Sequence, residues 1–259
     1  MELIKSYSND NAVKVIAFAI NYTQQLSNET IATVIQTLNE TSFFTEKFQN
    51  IQDQNMFSMT VNPDGVQTQT QSVGGVVCTN DYWSLTINKD VIIITCKAYT
   101  RWNNISTETY QYLKEIFKLL PKAQEIAQIT LEYLDEFEIL DNKSDWKRYL
   151  FNEKCSYITN NIYETNDFWH INLGSFVELE ELNQKLLDGI NINYFADEQD
   201  ELKHKVNLRT QHVLRYAVNQ EYNSEIIENN FNTMHIHSKE VFEKIIHSDI
   251  LKRFKQGDS

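Results

Sequence analysis

The alternation of apolar and polar positions is clearest between Val91 and Leu120, VIIITCKAYTRWNNISTETYQYLKEIFKLL. Val91, Ile92, Ile93 and Ile94 are β-branched and apolar in succession, which predicts a strand covered on both faces at its start. From Thr95 the pattern alternates, with Thr95, Lys97 and Tyr99 on one face and Cys96 and Ala98 on the other. Asn103 and Asn104 break the strand, and Ser106 is placed to cap a helix with its hydroxyl. Ile105 and Tyr110 have the spacing of a hydrophobic staple around that cap. Leu113, Ile116, Phe117 and Leu120 form one apolar stripe at helical spacing, and Pro121 ends the helix. A strand, a polar turn and a helix packed back on the sheet are expected here, and most of these residues read as core.

The same reading extends to the rest of the first half. Residues 13–22 form a strand with Ile16, Phe18, Ile20 and Tyr22 on one face. Ser27 or Asn28 caps a helix with Glu29 in its first turn and Ile31, Val34, Ile35 and Leu38 as its stripe. Residues 43–48 read as loop or short strand. Residues 51–61 and 66–78 are extended and meet at Asn62-Pro63-Asp64-Gly65, a strong turn signal. Gln67, Gln69 and Gln71 alternate with Thr68, Thr70 and Ser72, so both faces are polar and an exposed sheet edge is expected. Gly74-Gly75 marks a bulge or kink. Residues 82–88 pair with 91–99 as a hairpin.

After Pro121 the cycle begins again. Residues 129–139 form a strand with Leu131, Tyr133, Asp135, Phe137 and Ile139 on one face and Glu132, Glu136 and Glu138 on the other. A short helix at 145–151 and a strand at 168–176 follow. The pattern of 177–187 allows a helix. Strands at 190–195 and 205–218 join through an acidic turn, a helix covers 233–246, and Ser248 caps a last short turn. The expected fold class is α+β, mostly antiparallel sheet with helices packed on one face. Two similar β-α-β-β-β-α halves, 1–125 and 126–259, or one continuous domain, would fit the order of elements.

Composition narrows the class. The 259 residues are 41% hydrophobic and 12% aromatic, with six Gly and two Pro, which suits a globular chain with a sizeable core. No apolar run is long enough to span a membrane, and the first residues lack the order of a signal peptide, so the expected location is cytoplasmic. Cys78, Cys96 and Cys155 are widely spaced, without a CxxC, and read as reduced thiols. The net charge is −13 and uneven: residues 1–125 carry 9 basic and 12 acidic side chains, residues 126–259 carry 14 and 24. Such a field repels nucleic acid and attracts a basic partner, besides keeping the protein soluble.

Three segments resemble a sporadically distributed family of uncharacterised bacterial proteins of similar length. They are the strand VIIITCKAYTRW with Tyr99 and Trp102, the strand ITLEYLDEF after the following helix, and the terminal HSKEVFEKIIHSDILKRF. Family members carry an Arg-Tyr-x-Asn core in the second segment. Here Glu132, Tyr133, Leu134 and Asp135 occupy it, and only the tyrosine matches. The resemblance implies a fold plan and a small bacterial cytosolic protein, and it implies no activity.

Recognisable chemistry is sparse. Neither a phosphate-binding glycine loop nor a G-x-S-x-G elbow occurs. A Cys96–His pair would need a reactive thiol, whereas a buried cysteine is usually inert. His235 and His237 are a close pair without a metal-ligand spacing, and the histidines read as cap and surface residues, so no metal and no cofactor is expected. The best enzyme-like constellation is electrostatic. Glu132, Glu136 and Glu138 share one strand face, and Lys205, Arg209 and Arg215 share another, with Asn207 and Gln211 between. Lining one concavity, they would bind a metal and a phosphate; on a solvated face they would be cross-strand ion pairs. Tyr99 and Trp102, with Tyr82, Trp83, Trp146, Tyr149 and Trp169, suit a surface that recognises a partner, or a core. The expected function is a non-enzymatic interaction protein, immunity- or antitoxin-like or part of a defence system, binding a basic protein. The alternative is a phosphate- or metal-dependent enzyme with its site on the charged sheet face.

Overall fold

The computed structural model describes residues 3–62, 65–122, 124–142, 145–182, 184–197, 199–200 and 202–256. The first elements are β1 (Ile4–Ser6), β2 (Val13–Tyr22), α1 (Asn28–Glu40), α2 (Ser42–Lys47), β3 (Asn50–Asn62), β4 (Gly65–Thr79), β5 (Trp83–Asn88), β6 (Val91–Cys96) and α3 (Trp102–Leu119). There follow β7 (Glu125–Ile139), α4 (Trp146–Leu150), β8 (Trp169–Leu179), β9 (Gln184–Ala196), β10 (His204–Glu221), α5 (Ser224–Ile245) and α6 (Ser248–Gln256). The fold is α+β with mostly antiparallel strands, as the pattern predicts. Among the described residues no helix is long and apolar enough to cross a membrane.

The chain gathers into two compact units. One holds residues 17–129 and 215–228, the other residues 1–16, 130–214 and 229–259. The expected halves, 1–125 and 126–259, correspond to these units only in their central spans.

In the unit of residues 17–129 the strand order is β3-β4-β5-β6-β2. β5 and β6 form the expected hairpin, with Ile87 opposite Ile92, and Asn88 Oδ1 accepts the Asp90 and Val91 N–H groups at the turn. Ile92, Ile94 and Cys96 are buried while Val91, Ile93 and Thr95 are half-buried. One face of β6 is thus sealed and the other partly covered, rather than both being sealed. The helix after it starts at Trp102, not at Ser106. Trp102 stacks on Phe18, with ring centroids 5.6 Å apart, and this tertiary anchor outweighs the local cap signal. Asn103 and Asn104 lie in the first turn, Ile105 and Tyr110 lie inside the helix, and Ser106 donates to the Asn103 carbonyl. Leu113, Ile116 and Leu120 are buried as expected.

Ser27 caps α1 by accepting the Thr30 N–H, and Ile31, Val34 and Leu38 are buried. Residues 42–47 are helical, where loop or strand was expected; burial of Phe44 under T-shaped packing with Phe43 holds this single turn. β4 lies between β3 and β5 in the order, but β5 pairs only with Gly75–Thr79, so residues 65–73 have β3 alone as a strand partner among the described residues, and this stretch is the sheet edge that its polar faces suggest. The turn residues Pro63 and Asp64, and the side chains of 55–73, lie outside the described residues. The expected irregularity at Gly74-Gly75 is present: the β3–β4 register steps from Gln54 opposite Gly75 to Asn55 opposite Val73. A Cβ on Gly75 would stand 2.4 Å from the Ile87 carbonyl oxygen.

In the other unit the order is β7-β10-β9-β8, with β1 paired to β7. β9 and β10 run opposite from Ala196–His204 to Leu186–Leu214. Among the described residues of 177–187 none is α-helical: β8 continues to Leu179, a single 3-10 turn spans Glu180–Leu182, and β9 begins at Gln184. Cross-strand pairs such as Val177 with Leu186 decide this in favour of the hairpin. α5 buries Phe231, Met234, Ser238, Val241 and Ile245, alternating three- and four-residue steps, against a core that includes Ile4, Phe137, Ile190 and Val206. It begins at Ser224, well before the expected 233, where Asn223 Oδ1 accepts the Ile226 N–H. His247, not Ser248, caps α6, its Nδ1 accepting the Asp249 N–H. Cys78, Cys96 and Cys155 are free and buried, and burial pushes all three thiols up, Cys78 to about 12.

Candidate functional site

The period of two places Glu132 and Glu136 of β7 and Lys205, Arg209 and Gln211 of β10 on one face, and their side chains do meet. Arg209 Nη2 lies 2.7 Å from Glu132 Oε1, and Gln211 Nε2 donates to Glu132 Oε2 at 3.0 Å. Glu136 is bound by Lys14 at 2.7 Å and by Lys205 at 3.3 Å, and Lys205 also reaches Asp197 at 2.5 Å. Glu138 stands opposite Lys5 in the β1–β7 ladder. Carboxylate answers cation along the face, so it is a ladder of cross-strand ion pairs and not an open charged pocket. Arg215, Tyr99 and Trp102 belong to the other unit. There Arg215 Nε donates to Gln128 Oε1 at 3.1 Å, and Trp102 packs on Phe18.

The opposite face of the same strands carries chemistry that the sequence reading passed over. Asp188 of β9 and His212 of β10 are directly opposite in the ladder. His212 Nδ1 lies 2.7 Å from Asp188 Oδ1, and His237 Nε2, from α5, lies 2.7 Å from Asp188 Oδ2. All three residues are buried, His212 completely. Two of the histidines expected at caps or the surface are therefore core residues sharing one carboxylate. Burial pushes the Asp188 carboxyl up, but hydrogen bonds and charge from the two imidazoles outweigh it and hold the group below its ordinary value. Burial pushes His212 down against the pull of Asp188. His235 on α5 meets the Tyr133 hydroxyl at 2.7 Å, and burial, with Lys239, lowers it to about 4. Thr210 and Ser238, both buried, lie 3.5 Å apart, oxygen to oxygen. The visible signal for this cluster was a charged or polar residue at an inward position of three separate elements: Asp188, His212 and Ser238.

Two concavities lie elsewhere in this unit. A hollow of about 480 Å³ is lined by Phe168, Trp169, His170, Tyr194, Phe195 and neighbouring asparagines. A cleft of about 690 Å³ lies over α4, beside Trp146, Lys147, Arg148 and Tyr163. Its cations are engaged: Lys147 donates to the Thr165 carbonyl, and Arg148 binds Asp145 at 2.9 Å and also Glu153. Burial lowers the Lys147 amine. Trp146 and Trp169, two of the aromatic residues singled out in the second half, line these concavities, with Tyr194 centred 4.7 Å from Trp146 and 5.4 Å from Phe168, whereas Tyr149 meets Arg253 instead.

β8 ends the strand order of this unit and is covered on few of its side chains. Phe168, just before it, is 56% exposed, Leu173 37% and Phe176 70%. From Trp169 to Val177 it carries no Lys, Arg, Asp or Glu. Glu178, Glu180 and Glu181 are exposed at its end, with Lys185 3.3 Å from Glu178. In comparison with known families and curated proteins, neither a family model nor a relative matches the chain.

Proposed function

We propose that the protein is a non-enzymatic bacterial interaction protein, of immunity, antitoxin or other defence type, that binds a basic protein partner through the β8 edge. The exposed, charge-free stretch of β8 carries this reading. Edge strands in stable monomers are commonly guarded by inward charges, proline or a covering element. β8 instead presents exposed Leu173 and Phe176, and an aromatic hollow lies at its start, by Phe168 and Trp169, the composition of an interface anchor. An extended segment can add to such an edge through its main chain while its side chains enter the hollow. Exposed glutamates at the end of β8 and a net charge of −13 favour a segment rich in lysine and arginine. The bacterial setting rests on the family resemblance. The enzyme alternative loses its support on the sheet face, where Glu132 and Arg209 neutralise each other.

Affinity capture from the native host tests this, with wild type compared with the double variant L173K/F176K. Wild type is expected to retain one basic protein in stoichiometric amount, lost as salt rises. The variant is expected to lose it while unfolding at the same temperature as wild type. Retention unaffected by the variant, no basic protein, or only a second copy of the chain would overturn the reading.

A further inference from the structure

The buried Asp188, His212 and His237 have a use that docking at β8 does not explain. The three residues come from β9, β10 and α5, and each is at most 8% exposed. One ligating atom from each lies within 4.8 Å of the other two. Imidazole nitrogen and carboxylate oxygen are the donors that first-row transition metals take, and three of them with one free position is a common zinc set. Tetrahedral ligands about 2.1 Å from an ion stand about 3.4 Å apart, so a small rotation of the side chains closes the set.

The hydrogen-bond geometry says which atoms would ligate. His212 Nε2 is buried and has no hydrogen-bond partner. That nitrogen points away from Asp188, so the atoms that face one another, and that an ion would take, are His212 Nδ1, His237 Nε2 and the Asp188 oxygens. Helix α5 needs nothing else from His237, since its apolar stripe already binds it to the sheet.

We infer that Asp188, His212 and His237 form a structural site for one divalent transition-metal ion, zinc foremost, tying β9 and β10 to α5. Each imidazole gives the ion one nitrogen lone pair and keeps its single proton on the other nitrogen. Asp188 gives an oxygen, so its charge is met without a proton being consumed. Three protein ligands leave the fourth position to a water, and their burial on three separate elements makes the ion a tie between β9, β10 and α5.

The test uses the full chain, stripped with chelator, and Zn²⁺ and Co²⁺ as probes. Because the ligands are sealed, loading is tried both on native protein and during refolding. Wild type should bind one equivalent of Zn²⁺, by either route, and melt at a higher temperature when loaded. Cobalt in the site should give the intense visible absorption of four- or five-coordination. His237→Gln should weaken zinc binding by at least about 100-fold. Failure of wild type to bind either ion by either route would overturn the inference, as would a folded His237→Gln that binds as tightly as wild type. If that variant does not fold, the cobalt spectrum of wild type decides, and the faint absorption of octahedral cobalt counts against the site.

Discussion

Asp135 shows at the scale of one residue how the strand period sets chemistry. It shares the covered face of β7 with Tyr133 and Phe137 and is 3% exposed, and burial pushes its carboxyl up to about 8. Below its ordinary value of 3.8 both folded and unfolded chains hold the proton, and the group imposes no ionisation cost. Between that value and about 8 only the unfolded chain releases it, so stability falls by up to about 1.4 kcal/mol per pH unit, then levels off. Asp135→Asn keeps the shape and cannot ionise. Urea unfolding from about pH 5 to about pH 8 should show wild type losing on the order of 4 kcal/mol relative to the variant. Parallel profiles would refute the assignment. His235 acts in the opposite direction: folded, it stays neutral down to about 4, so its contribution is lost as pH falls below 6.5. Alternation alone placed Asp135 among apolar neighbours, so its burial was legible. The role of His212 was not, because an inward histidine of one strand says nothing about which carboxylate the next strand brings opposite it.

Among the elements, Gly75 is the position where two strands come too close for a side chain. A Cβ there would sit 2.4 Å from the Ile87 oxygen and 2.9 Å from the Asn88 Cα, both backbone atoms. Gly75→Ala should cost about 2 kcal/mol or more in urea unfolding. Gly189→Ala, whose nearest neighbours would be 3.7 Å away, should change stability by less than about 1 kcal/mol. Equal effects would show that the close approach is not what Gly75 serves. Most strands, α1 and the end of α3 were legible because their burial follows a period of two or of 3.6. The start of α3 was not, since a ring stacked from β2 decides it, and neither was the edge position of β8, which strand order decides.

For the whole molecule, the two compact units are not the two halves of the chain. Residues 1–16 supply Ile4 and Ala12 to the core around Phe137 and Val241, and the Ala12 carbonyl accepts the Glu136 N–H at 2.9 Å. Residues 215–228 supply Tyr222, stacked 3.7 Å from Phe117. A fragment of residues 126–259 should therefore fail to fold cooperatively, read as the absence of a thermal transition by circular dichroism. A sharp transition in that fragment would show the missing segment to be dispensable. The sequence by itself determined the α+β class, the main strands and helices, the strand faces that carry Glu132 and Arg209, and the acidic charge. These are local or additive quantities, written in the spacing and count of residues. Only the tertiary structure decided that those charges neutralise each other, that β8 is an open edge, and that Asp188 meets His212 and His237. The last two pairs are 24 and 49 positions apart. They meet because of ladder register and helix placement, which arise from long-range pairing and leave no trace in the local pattern.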